Sequence, residues 1–346
     1  MRADHWSEGA ARVGTRQGLM AKSFDLAADA YADAVGGSMS SDSLRRIAEG
    51  WGRRVEEQRE EVAERANAPA QRGESPQARR VIEVQPIAGQ ANLSTDGGMV
   101  LIRGEGWKEV KLTTISEVEV RPAAERPAKE DGESRRAQDP LVKLKEHSYQ
   151  AGLWQADTMA RHQYVEGLRR GIDRCPRLSS VNDGAPWIER ITSLNFPEAV
   201  QILDWRHAKG KLWTVSKAIF GEHSPEGKGW VEERINHLWA GEITKVEAAL
   251  EELDLDQKRW PDEVRQAPGY FEGNRKRMRY DEFRAESYPI GSGTVESGIN
   301  TVVHHRMKRP GRGWERSNGQ AMLAGLSELH SGRFEQAWKD TLPSAA

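Results

Sequence analysis

Between Lys108 and Val120 the chain alternates with a period of two. Val110, Leu112, Val118 and Val120 fall on one face, and Lys111, Glu117 and Glu119 fall on the other, joined there by the apolar Ile115. Successive strand residues point to opposite faces, so this pattern predicts a strand with one face turned to a core. Upstream, STDGGMVLIRGEG is a second strand-like run, closed by Gly104 and Gly106. The spacing predicts a hairpin of residues 92–103 and 107–120 that turns at Gly104–Gly106.

The order of the following segments extends this hairpin into a sheet. Residues 155–172 read as a helix, and RLSSVNDG then runs from a short strand, at 177–184, into a turn. APWIERITSL is a short helix, FPEA a turn and VQILDW a further buried strand. Strand, helix, strand implies parallel pairing, so the sheet is expected to be mixed.

Helices are expected on both sides of this core. In residues 1–68, LMAKSFDLAADAYADAV sets Leu19, Phe24, Leu26, Ala27, Tyr31 and Val35 on one stripe, ended by Gly36 and Gly37. Ser41 is placed to cap a second helix that carries Leu44, Ile47 and Val55. Two short helices around a glycine turn read as a helix-turn-helix or as a plain helical hairpin. Residues 66–80 are rich in proline, glycine and charge, so 69–90 reads as linker and entry segment. Residues 91–206 form the first part of the core, with 121–140 a charged, proline-bearing loop. From 207 to 268 a helical insertion is expected, with Val231, Ile235, Leu238, Trp239, Ile243, Val246 and Leu250 along one face. Residues 269–346 return to the core through a bend and a helix that begins near Thr294.

Composition excludes several classes. No run approaches the roughly 18 apolar residues of a membrane span. The single cysteine, Cys175, forms neither an internal disulfide nor a Cys-rich zinc site, which fits the cytoplasm. The net charge of −2 does not decide about nucleic acid, because binding depends on where charge sits.

Three acidic residues have settings suited to chemistry. Asp96 lies in a strand before Gly97 and Gly98, Asp183 ends a strand before Gly184, and Glu296 lies in the first turn of a helix behind Gly291-Ser292-Gly293. Glycines leave space beside the carboxylates. Three carboxylates brought together repel unless cations sit between them, and their hard oxygens suit Mg²⁺ or Mn²⁺. Two such ions about 4 Å apart activate a water or a 3′-hydroxyl and stabilise the leaving oxygen of a phosphodiester. Each residue alone has a plainer role, as a turn aspartate or as a glutamate favoured by the helix dipole.

STDGGMVLIRGEGWKEVK, VNDGAPWIERITSLNFPEAVQILDWRHA and YPIGSGTVESGINTVVHHRMKRPGRGW resemble, in this order, blocks of insertion-sequence transposases of the ISKra type, relatives of the Mutator-like group. The resemblance covers about residues 90–330. It implies an α/β fold of RNase H-like type: a mixed five-stranded sheet flanked by helices, an N-terminal helical region and a helical insertion before the last catalytic helix. It also implies that Asp96, Asp183 and Glu296 are the catalytic and metal-binding carboxylates for two Mg²⁺ or Mn²⁺ ions. The implied partners are the double-stranded DNA of element ends and target, bound by a homo-oligomer, in the cytoplasm at the nucleoid. The N-terminal region is short for this family and has no Cys-rich zinc motif, so either an abbreviated end-recognition domain or a late start of the chain is expected.

Asp204 also ends a strand and stands as the alternative second carboxylate. The resemblance makes Asp204 and His207 an accessory pair. On the helix behind Gly293, Val295, Ile299, Val302 and Val303 are expected to face the core, and Glu296, Asn300 and His304 to share a stripe at four-residue spacing. Asn300 and His304 are accessory candidates for contact with phosphate. Two basic clusters flank this helix: Arg275, Lys276, Arg277 and Arg279 before it, and Arg306, Lys308, Arg309, Arg312 and Arg316 around Trp314 after it. Positive charge beside metal-binding carboxylates is what a phosphodiester backbone needs. Two other functions compete: a catalytically inactive DNA-binding remnant of an element, and a two-carboxylate glycosidase, which clustered arginines fit poorly.

Overall fold

A computed structural model of the chain describes residues 6–71, 82, 84–121 and 139–342, without the side chains of 67–71. The linker at 66–80 and the loop at 121–140 lie largely outside the described residues. The architecture is α/β, with one open five-stranded mixed sheet flanked by helices, in the order β3-β2-β1-β4-β5. Its strands are β1 (Gln90–Ile102), β2 (Gly106–Arg121), β3 (Leu141–Gly152), β4 (Arg177–Asn182) and β5 (Val200–Leu203).

β1 and β2 form the expected hairpin, antiparallel with Ile102 opposite Gly106. Gly104 and Gly106 hold positive φ at the turn, where a side chain would be strained. β3 continues the antiparallel half. β4 pairs parallel with β1, and β5 pairs parallel with β4. The intervening α5 (Pro186–Asn195) supplies the crossover that parallel pairing requires.

Ile115 loses its exceptional status once both faces of the sheet are seen. Val100, Val110 and Leu112 join one core with Leu19, Trp51, Val295 and Val302. Ile115 joins a second core with Leu93, Leu178 and Phe196. The sheet is therefore covered on both faces, and β2 is buried on both from Val110 to Ser116. The helix α4 (Ala156–Arg169) packs with α5 on one side.

The N-terminal region differs from the two short helices expected. Among the described residues it holds three: α1 (Glu8–Met20), α2 (Phe24–Val35) and α3 (Ser41–Gln71). The stripe from Leu19 to Val35 is broken because Ser23 accepts a hydrogen bond from Leu26 N at 3.2 Å, which starts a new helix. Ser40, rather than Ser41, caps α3 by accepting from Ser43 N at 3.1 Å. α3 lies along α14 (Arg316–His330). Its Trp51 is fully buried, lies tilted against Phe334 with ring centres 5.0 Å apart and donates from Nε1 to Thr341 Oγ1 at 3.0 Å. Trp51 thus welds the first helices to α15 (Phe334–Asp340). Truncating so large a buried ring to alanine costs about 3–5 kcal/mol.

A buried ionic cluster ties α4 to the turn between α14 and α15. Glu166 of α4 accepts from Arg333 Nη1 at 2.9 Å and from Gln150 Nε2 at 3.1 Å, while Arg333 Nε donates to Glu328 Oε2 at 2.7 Å. Burial alone would raise Glu166, but Arg333 and Arg169 overcome it and hold the carboxyl down at about 2.

After β5 come α6 (Trp205–Phe220), α7 (Pro225–Trp239), α8 (Ile243–Glu251), α9 (Asp262–Arg265) and α10 (Ala267–Asn274). They bury a core of their own, including Leu212, Val231, Leu238, Val246 and Phe271, against Ile202 and Leu203 of the sheet. α11 (Tyr280–Ala285) leads back to the segment α12 (Gly293–Gly298), a π-helical turn over Ile299–His304, and α13 (His305–Met307). Wide turns of this kind concentrate at functional sites. Val302 and Val303 are both fully buried here, as expected.

Candidate active site

The parallel half of the sheet lines the aspartates up across neighbouring strands, at the C-terminal ends of β4 and β5. Leu93 pairs with Ser180, and Thr95 N donates to Asn182 Oδ1 at 2.7 Å, so Asp96, midway along β1, lies beside Asp183, just past the end of β4. Asn182 pairs with Leu203, which puts Asp204 next in the row. Asp96 shares the sheet face of its cross-strand partner Leu112, and α12 packs on that face.

Glycine at 98 makes this packing close. A Cβ there would stand 2.8 Å from Ile299 Cγ2 and 3.2 Å from His304 Nε2. Gly184 has φ +91°, and a Cβ on it would stand 2.6 Å from Leu203 Cδ1. These two glycines bring the helix onto β1 and turn the chain sharply behind Asp183.

Asp96 is half-buried and accepts from Gly97 N at 2.7 Å. Burial raises its carboxyl to about 6, and the charges of Asp183 and Glu296 push the same way against the Gly97 hydrogen bond and His207. The three predicted carboxylates therefore share one electrostatic environment. Asp183 accepts from Ala185 N at 2.9 Å, and its carbonyl accepts from Tyr270 Oη at 3.5 Å. Burial first, then Asp183, holds the Tyr270 hydroxyl above its ordinary value, so it stays protonated.

Asp204 has a different task. It is fully buried, and its oxygens accept from His207 N at 2.8 Å and Ser292 N at 2.5 Å. One carboxylate thus caps α6 and ties it to the turn before α12. Both Asp204 oxygens accept from backbone N–H groups, and Asp183 is the more open of the two aspartates.

Glu296 is half-buried, with Arg206 Nη1 3.4 Å from Oε2 and His207 Nε2 3.9 Å from Oε1. Arg206 was not evident in the sequence; its only signal is its place before His207 in DWRHA. Asn300 is exposed, and its Oδ1 accepts from His304 Nδ1 at 3.2 Å. His304 Nε2 is buried without a hydrogen-bond partner among the described residues.

Among the described residues, no three His, Cys, Asp or Glu side chains close into a ready metal cage. The donor set still fits a hard divalent cation. It consists of carboxylate oxygens without thiolate, and its mutual repulsion at Asp96 is what such a cation relieves.

The basic clusters are largely engaged within the protein. Arg275 pairs with Glu247 at 2.8 Å, Arg277 with Glu189 at 3.1 Å and Arg279 with Glu282 at 2.6 Å. Arg316 meets Glu105 through two bonds of 2.8 and 2.7 Å. Arg306 is buried, and Trp314 donates from Nε1 to Met307 O at 3.1 Å. Lys276, Lys308 and Arg312 are exposed. No family model and no curated protein matches the chain.

Proposed function

We propose that this chain is a DNA transposase of the insertion-sequence type, with an RNase H-like core, that cuts and joins phosphodiester bonds at element ends. The observation that carries the reading is the placement of Asp96 and Asp183 on neighbouring parallel strands with the Glu296 helix packed on the same sheet face. The strand order, three antiparallel strands continued by two parallel ones, also fits this core.

Asp96, Asp183 and Glu296 would hold Mg²⁺ or Mn²⁺, as two ions. Bound there, the metal would activate a water or a 3′-hydroxyl and neutralise charge on the phosphate under attack. Gly98 seats the Glu296 helix on β1, and Asp204 fixes the turn that precedes it. Arg206 and His207 orient the Glu296 carboxylate. Exposed Lys308 and Arg312, on the same segment as Glu296, supply positive charge for the DNA backbone. An inactive DNA-binding remnant is the second reading, favoured by Arg206 resting on Glu296.

The test is incubation of the protein with Mg²⁺ and DNA that carries the element's ends. Cleavage that leaves 3′-hydroxyls and stops on chelation supports the proposal; binding without cleavage favours the remnant.

A further inference from the structure

Beyond the carboxylates, a cavity of about 440 Å³ opens between the N-terminal helices and the loop after α13. Five arginines line it, Arg45, Arg103, Arg306, Arg309 and Arg312, together with Phe24, Met307 and Trp314. Two carboxylates also line it, and both have arginine partners: Glu49 meets Arg45 at 3.2 Å, and Glu315 meets Arg103 at 4.0 Å. Arg306, Arg309 and Arg312 have no carboxylate at ion-pair distance among the described residues.

Arg306 is 3% exposed. Its Nε donates to Gly18 O at 3.0 Å and its Nη1 to Lys22 O at 3.1 Å, while Nη2 has no partner among the described residues. Its guanidinium lies 4.2 Å from the Phe24 ring centre and 5.4 Å from that of Trp314. Arg309 Nη1 donates to the same Lys22 carbonyl at 2.8 Å. Burial, with Arg309 and Arg312 close by, brings Arg306 down to about 10. Crowded guanidiniums of this kind gain most from an anion, because buried charge is costly unless paired.

The walls are held in place. Trp314 N donates to Leu101 O and Arg103 N donates to Trp314 O, both at 2.9 Å, so the loop is fastened to β1. A fastened pocket loses little freedom when it binds.

We propose that this cavity binds a nucleotide phosphate, held by Arg309 and Arg312 beside the buried Arg306, with Phe24 and Trp314 forming the apolar wall for the attached sugar and base. As a site for a phosphate within a DNA strand it rests on the transposase reading; as a site for a free nucleotide it does not. The same continuous segment carries Glu296 and Arg306, so a phosphate held here fixes a strand relative to the carboxylates.

The experiment uses the full-length protein, its Arg312→Ala and Arg312→Glu variants, and an Arg309→Ala variant. Arg312 is exposed, and its backbone N–H rather than its side chain makes the bond to Arg309 O, so its substitution leaves the loop intact. Thermal shift with dAMP, inorganic phosphate and deoxyadenosine at fixed ionic strength is compared with anisotropy of a short labelled duplex. The expected result is stabilisation by dAMP and phosphate but not by deoxyadenosine. Loss of one charge-assisted contact weakens binding roughly tenfold in each alanine variant, and Arg312→Glu weakens it further. Duplex binding that is equal in the parent and all variants, with dAMP and phosphate protection lost in the variants, keeps the pocket and overturns a DNA strand as its phosphate source, while the transposase reading is decided by its own cleavage test. Phosphate and dAMP protection that the variants lose, in a protein that binds no duplex, supports the pocket and overturns DNA as its source. No protection by any phosphate compound and unchanged duplex binding in the variants overturns the proposal outright.

Discussion

Gly98 on β1 and Ile299 at the start of the π-helical turn meet so closely that a single methyl group at position 98 would lie 2.8 Å from Ile299 Cγ2. The helix that carries Glu296 is thus set against the strand that carries Asp96 by the absence of a side chain. Gly98→Ala is expected to destabilise the fold by about 1–3 kcal/mol through overpacking. Adding Ile299→Ala is expected to recover part of that loss, measured by chemical denaturation of both variants. Additive losses in the double variant would show that the two positions do not press on each other.

Asp183 and Asp204 are expected to fail in different ways. Asp204→Ala removes a helix cap and a bond to Ser292 N, and a lost cap costs about 0.5–2 kcal/mol. Asp183→Asn is expected to leave the melting temperature nearly unchanged and to reduce Mn²⁺ binding. Calorimetric titration with melting curves distinguishes them, and a reversal of the two phenotypes would exchange their roles.

The raised Asp96 carboxyl gives a pH signature in metal-free protein. Its folded value is about 6 against an ordinary 3.8, so the unfolded chain ionises first as pH rises. The cost is absent below about 3.8, grows between the two values and is full above about 6. Asp96→Asn is therefore expected to stabilise the metal-free protein by about 1–2 kcal/mol at pH 8, allowing for partial exposure, and by nothing at pH 3.5. An equal gain at both pH values would place its origin elsewhere.

Glu166 has the opposite sign. Its folded value of about 2 lies below the ordinary 4.5, so its contribution is present above about 4.5 and is lost as pH falls toward 2. Glu166→Gln leaves Arg333 buried without its full counter-charge and is expected to cost about 3–5 kcal/mol at neutral pH. The variant is also expected to flatten the acid limb of the stability profile, followed by circular dichroism between pH 2 and about 5.

Much of the sheet was legible because strands write themselves in period two. The hairpin turned where Gly104 and Gly106 predicted, and the short strands at 177–184 and 200–205 followed from turn residues around apolar runs. β3 was harder, because LVKLKEHSYQAG breaks its alternation at a bulge opposite Ile115–Glu117. The helix break at Ser23 depends on one side chain that accepts from the backbone, which hydrophobic periodicity does not report. Asp183 and Asp204 look alike in sequence, since both end strands before turns. Only the chain around them shows that Asp204 is consumed by two backbone N–H groups. A count of arginines likewise does not reveal that Arg306 turns inward to carbonyl oxygens, or that Arg275, Arg279 and Arg316 face glutamates.

The central claim is that Asp96, Asp183 and Glu296 act as one metal-binding, strand-cutting unit. The most direct measurement is Mg²⁺-dependent cleavage of end-bearing DNA by the parent protein and by Asp96→Asn, Asp183→Asn and Glu296→Gln, each first shown to bind that DNA as tightly as the parent. The account predicts that every single variant loses cleavage by about a hundredfold or more while DNA binding persists. Cleavage at the parent rate by any one of the three would contradict it.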